Sequence, residues 1–191
     1  AARSAFLGAL AQSADAAEAA GARFLIVQTG AQRPGVARAV QRQAVVTALS
    51  VAAQSLEGRP VRLLLEALND RVDHPGHFLT DTADAVGIVR AVAHPSLRLL
   101  YDRYHAAVMG ERLGYGIDDA LDLVEHVHIA DMPGRGELGS GGLNWEGELD
   151  WIARHLPGVL VGCEYRPKVA TDQSLTLLRR YLGQPRTTRR Q

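Results

Sequence analysis

Four apolar runs in this chain each stop at a side chain able to hold a cation or move a proton. They are VRLLLEALN, ending at Glu66; LRLLYDRYH, ending at Asp102 with His105 three residues on; VEHVHIAD, carrying His128; and VLVGCEYRP, ending at Glu164. Three carboxylates and one imidazole make a donor set of hard oxygens plus one nitrogen. Such a set suits Mg2+ or Mn2+, and with the imidazole also Co2+ or Zn2+. Taken singly, each residue has a plainer explanation. A carboxylate after a strand is commonly a helix cap or a surface charge, and His128 alone reads as a satisfied core histidine. Four in succession make coincidence the weaker explanation.

The elements that must position them alternate between helix and strand. Residues 4–20 are alanine-rich with interspersed charges and end at Gly21, which predicts a helix with a glycine stop. Residues 24–27, 61–66, 97–102, 127–130 and 159–164 are short buried-strand runs. Val36, Val40, Ala44, Ala48 and Val51 recur at helical spacing. So do Ala85, Ile88, Val89 and Val92, and then Ile117, Ala120, Leu121 and Val124. Residues 145–155 predict a further helix, and Leu175, Leu178 and Leu182 mark a last one. One helix followed by five βα units implies a parallel sheet covered by helices.

Strand count alone favours an open doubly wound sheet, because a closed barrel takes eight strands and about 250 residues. The polar strand ends favour the barrel instead. There the C-terminal ends of all strands converge on one mouth, where active sites form. Strand alternation agrees: Leu64 with Glu66, Leu100 with Asp102, His126 with His128, and Leu160 and Gly162 with Glu164 each share a face. With Glu164 toward the axis, Cys163 turns toward the helix layer as a small packing residue and not a nucleophile.

Composition narrows the class. The chain has 191 residues, no formal net charge at pH 7 and 47% hydrophobic residues. That suits one core-bearing domain over residues 1–183, with a disordered basic tail at 184–191. Balanced charge argues against a dedicated nucleic-acid binder. A single cysteine rules out an intramolecular disulfide framework and fits a reducing compartment, the cytoplasm. No stretch approaches the ~18 apolar residues of a membrane span, and no basic-then-apolar signal opens the chain.

These segments resemble the hydroxypyruvate isomerase family, within the xylose isomerase-like barrels. LLLEALNDRVDHPGHFL is similar to its fifth-strand segment, LLYDRYHAAVMG to its sixth, HVHIADMPGRGELGSGGLNW to its seventh strand and loop, and VGCEYRPK to the end of its eighth. The resemblance implies that Glu66, Asp102, His128 and Glu164 are divalent-metal ligands. Glu66 and Glu164 would also be the acid–base pair, and His105 and Arg135 would bind the substrate's oxygens. Hydroxypyruvate isomerases often carry Gln where this chain has His128; the related ketose 3-epimerases carry His. By the same alignment the chain begins in the third helix, so strands one to three are absent. The expected fold is therefore a partial (β/α)8 TIM barrel of about five βα units, strands 4–8. Five strands cannot close a barrel, and two bare sheet edges invite aggregation or pairing with another chain, including a homo-oligomer.

The implied reaction interconverts a hydroxy-ketone and a hydroxy-aldehyde by moving a proton between adjacent carbons. A metal would polarise the carbonyl and hold the charge of the enediolate, while carboxylates remove and return the proton. Arg135 reads either as a cation for a substrate carboxylate or as a solvated loop arginine. His105 reads as a direct substrate contact or as support behind the metal. The glycines of Gly134-Arg-Gly136-Glu-Leu-Gly139 lack the strand-to-helix context of a dinucleotide fingerprint and predict a mobile loop at the mouth. Trp145 and Trp151 read as packing residues, and His74 and His77 as part of a turn beside Pro75-Gly76. Alternatives to the isomerase are a ketose 3-epimerase, an abasic-site endonuclease with several zinc ions, and a non-catalytic remnant.

Overall fold

The computed structural model describes residues 2–183; the tail expected at 184–191 lies outside them. Helix α1 (Ala2–Ala19) leads into β1 (Phe24–Val27), α2 (Arg38–Ser55), β2 (Arg62–Glu66), α3 (Thr82–Val92), β3 (Leu97–Asp102) and α4 (Arg103–Met109). A 3-10 turn at Leu121–Leu123 precedes β4 (Val124–Ile129). Then come α5 (Trp145–His155), β5 (Leu160–Cys163), α6 (Thr171–Ser174) and α7 (Thr176–Leu182).

The five strands are parallel and lie in the order β1-β2-β3-β4-β5. That order decides the architecture. A doubly wound sheet reverses direction at a switch point; here every crossover steps the same way, as in a barrel. The expected partial barrel is what forms, a curled sheet with helices on its outer side.

The main core lies between that outer face and the helices. Leu63, Leu65, Leu99, Tyr101, Val127 and Ile129 pack there against Leu49 and Ala53 of α2, Ala85 and Ile88 of α3, and Leu149 and Ile152 of α5. Each fully buried leucine or isoleucine there is worth about 1.5–3 kcal/mol. Leu64 and Leu100 are equally buried but stand outside this cluster, on the inner face beneath Glu66 and Asp102. The β3–β4 register slips by one residue at Glu125, from Leu99↔Val124 to Leu100↔His126. Beyond this bulge Asp102 pairs with His128, which brings both to the inner face.

Local chemistry sets the helix ends. The Asp81 side chain accepts from the Asp84 N–H at 2.8 Å to start α3, and Ala93 closes it in the left-handed region. Asn144 caps α5, whose first turn carries Glu146 and Glu148 and whose last carries Arg154 and His155, matching the helix dipole. No described helix is long and apolar enough to cross a membrane.

One expectation fails between β3 and β4. The spacing of Ile117, Ala120, Leu121 and Val124 predicts a helix, yet this segment is a series of turns and Val124 opens β4. Gly110, Gly114 and Gly116 all have positive φ, which interrupts any helix. A Cβ at Gly116 would sit 2.6 Å from the Ala83 backbone nitrogen, so the turn is pressed against the start of α3. Ile117 and Ala120 are fully buried in this packing, which accounts for their apolar spacing. The helix of this βα unit is instead α4, whose seven residues are too few to show a periodicity. Cys163 also departs from expectation. It is exposed on the last strand and not packed under helices.

Candidate metal centre

Glu66 ends β2, and its carboxylate is buried against Gln28, whose side-chain NH2 donates to Oε2 at 2.8 Å. Asp102 ends β3 and serves two purposes. Its Oδ1 accepts the His105 N–H at 3.0 Å, capping α4. Its Oδ2 faces the other residues of the site, 3.8 Å from His128 Nδ1. His128 stands on β4, and Glu164 follows β5, its N–H donating to the Ile129 carbonyl. Gly162 makes room for the imidazoles: a Cβ there would lie 3.0 Å from both His126 Nε2 and His128 Cδ2.

These residues converge. His128 Nδ1 lies 3.7 Å from Glu66 Oε1, 3.8 Å from Asp102 Oδ2 and 3.5 Å from Glu164 Oε2, yet this buried nitrogen has no hydrogen-bond partner. His105 approaches from the other side. Donor atoms of Glu66, Asp102, His105 and Glu164 all fall within 4.8 Å of one another. An unpartnered imidazole nitrogen amid three carboxylates is the donor set of a divalent cation, so the residues fit the metal their chemistry suggests.

The electrostatics follow. Burial pushes Asp102 up to about 7, helped by Glu66 and only partly offset by its hydrogen bond from His105. Burial opposes charge on His128, but Glu164, Glu66 and Asp102 outweigh it and raise the imidazole to about 9. Glu164 is drawn down to about 2, first by His128; burial opposes this, and Arg135 adds to the lowering. Burial and the Arg135 charge lower His105 to about 4.

Arg135 ion-pairs with Glu164 and lies over the Tyr104 ring, 5.2 Å from its centroid. It is thus drawn into the site and is not a solvated loop arginine. Its φ of 52° is in the left-handed region, unusual for a residue other than glycine. The loop that carries it is fastened, contrary to the expected mobile segment. The buried Asp131 carboxylate accepts backbone N–H groups from Met132, Gly139, Gly141 and Leu143, at 2.8–3.1 Å. The glycines let the backbone close on this carboxylate. At Gly141 a Cβ would meet the Met132 carbonyl at 2.4 Å.

Sequence reasoning passed over Gln28, Asn69, Asp73, Tyr104 and Asp131. Gln28 had the same signal as the others, a polar residue closing an apolar strand. The His74–His77 pair stays a turn, with the His74 ring tilted against that of His105 at 5.4 Å between centroids. Trp145 is core, as expected.

The sequence profile described as "Xylose isomerase-like TIM barrel" matches residues 1–181. This chain belongs to the xylose isomerase-like TIM barrel family. Among family relatives, it is 38% identical over 135 residues to a "Putative hydroxypyruvate isomerase" of Mus musculus, covering 65% of this chain and 46% of that one. It is 34% identical over 131 residues to the "Hydroxypyruvate isomerase" of Escherichia coli K12, covering 69% and 50%. A crystal structure described as AP endonuclease, family 2, from Brucella melitensis superposes with a TM-score of 0.82 at 29% identity, covering 90% of this chain and 66% of that chain. The chain spans about half the length of the curated relatives it matches.

Proposed function

We propose that this chain carries the metal-binding and acid–base residues of an isomerase of small hydroxy-carbonyl compounds, converting hydroxypyruvate to tartronate semialdehyde. One observation carries the reading: four strand-end residues, Glu66, Asp102, His128 and Glu164, meet around an unpartnered buried imidazole nitrogen. The likeness to hydroxypyruvate isomerases supports the substrate class.

In this reading Glu66, Asp102, His128 and Glu164 hold Mg2+ or Mn2+, with Co2+ or Zn2+ as substitutes. The cation, when bound, polarises the substrate carbonyl and offsets the charge that develops as a proton leaves. The chain supplies the rest. Glu66 and Glu164 stand three strands apart on a curved sheet and reach the substrate from different sides. One removes the proton from the carbon beside the carbonyl, and the same or the other returns it to the neighbouring carbon. Gln28 orients Glu66 for this task. Arg135, paired with Glu164, takes the substrate carboxylate in a planar two-point contact.

A ketose 3-epimerase would use the same two carboxylates on a longer substrate. An endonuclease would need more nitrogen or sulfur ligands and a basic groove; a carboxylate-dominated site on an uncharged chain opposes it. Hydroxypyruvate, free ketoses and an abasic duplex, assayed side by side with Mn2+, separate the three. The assay is run on this chain and on any longer protein that contains it. We expect hydroxypyruvate to turn over fastest, and Glu66→Gln and Glu164→Gln to lower that rate about 10²–10⁴-fold. Near-normal rates in either variant, or cleavage of the duplex, would overturn the reading.

A further inference from the structure

Two imidazoles, His105 and His128, reach the same carboxylates, and the hydrogen bonds around Asn69 separate their roles. Asn69 is fully buried three residues after Glu66. Its side-chain oxygen accepts two backbone N–H groups, from Val72 at 3.0 Å and Asp73 at 2.9 Å. Backbone donors cannot reverse, so the amide is fixed with its oxygen toward that turn and its NH2 away from it. The NH2 lies 2.7 Å from Asp73 Oδ2 and 2.6 Å from His105 Nδ1. The backbone N–H of Asn69 also donates to His105 Nδ1, at 3.1 Å.

Two donors therefore converge on one ring nitrogen, which must present its lone pair. In a neutral imidazole the proton is then on the other nitrogen, Nε2. That atom is buried and unpartnered among the described residues, and it lies 3.8 Å from Asp102 Oδ2. A nitrogen that carries a proton has no lone pair to give a metal.

We propose that Asn69 is a positioning residue that fixes His105 as its Nε2–H tautomer. That tautomer would suit His105 to the substrate-oxygen contact, and His128 to the nitrogen position of the metal site, that the family resemblance implies. The donor role rests on the isomerase reading; the tautomer does not.

Imidazole nitrogen NMR on the full metal-free chain at neutral pH reads the tautomer directly. The expected spectrum shows His105 with a bare Nδ1 and a protonated Nε2. Asn69→Asp keeps the oxygen that accepts from Val72 and Asp73 but turns a carboxylate oxygen toward Nδ1, so Nδ1 is expected to gain a proton. Hydroxypyruvate conversion should then fall about 10²–10³-fold, the scale of one lost donor to a developing oxyanion, without weaker Mn2+ binding. A proton on Nδ1 in the unmodified chain overturns the proposal, even if Asn69→Asp fails to fold. So does a bare Nδ1 in Asn69→Asp. The expected tautomer, with no hydroxy-carbonyl substrate converted by this chain or by a longer protein that contains it, upholds the lock and removes the isomerase reading.

Discussion

The carboxylates around His128 raise its imidazole to about 9 despite burial, so the metal-free chain is expected to hold it protonated at neutral pH. A metal held by His128 would have to displace that proton. Mn2+ affinity should therefore rise by up to about tenfold per unit between pH 7 and 9 and level off above. Calorimetry in buffers of different ionisation heat checks this as proton release on binding. Folding stability carries the opposite sign. A raised imidazole contributes stability that is fully present below its ordinary 6.5 and lost as pH climbs through about 9. Glu164, depressed to about 2, contributes stability present above its ordinary 4.5 and lost as pH falls toward 2. The thermal midpoint of the metal-free chain should thus decline from pH 6.5 to 9, and Glu164→Gln should flatten that slope. A midpoint constant over this range would contradict the pairing. The strand-end carboxylates and His128 were legible because each closes an apolar run. The role of Asn69 was not, because it depends on which donors meet His105 through space.

At the next scale, α4 and α5 are joined by a buried two-point ion pair between Arg103 and Glu148, at 2.7 and 3.0 Å. Arg103 Nη1 also donates to the Glu111 carbonyl, fastening the turn after α4. Since Asp102 caps α4, this pair steadies from behind a carboxylate of the candidate metal site. Glu148→Ala leaves a buried guanidinium unpaired and should cost about 3–5 kcal/mol, whereas Arg103→Met combined with Glu148→Leu should cost less than either single change. Urea midpoints measure both. Strands and capped helices such as α3 and α5 were legible because their start and stop residues are local. The segment between α4 and β4 misled because buried turn residues can copy helical spacing by accident. The glycines at 110, 114 and 116, read together, were the available warning.

For the whole molecule, the sequence order of the strands leaves β1 and β5 each with one free backbone edge among the described residues. The inner face is bare beside them: Ile26 is 47% and Leu160 48% exposed. Such edges pair with other chains. Sedimentation of this chain should show concentration-dependent association. Ile26→Lys with Leu160→Lys should shift it toward monomer with little change in circular dichroism, since both positions are already solvated. The alternation of elements left an open sheet and a barrel both possible; the polar strand ends and the family resemblance pointed to the barrel's unreversed order, which is the order observed. Strand runs alone do not say which neighbours pair. That order is what gathers residues from β2, β3, β4 and the end of β5 into one site.

The most direct test of that site is a Mn2+ titration of the unmodified chain beside Asp102→Asn, His128→Ala and His105→Ala. Asp102→Asn keeps an oxygen to cap α4, so it separates metal binding from folding. The geometry predicts one ion per chain, affinity weakened more than about tenfold in Asp102→Asn and His128→Ala, and affinity retained in His105→Ala. Equal affinity across all four proteins, or a loss confined to His105→Ala, would contradict it.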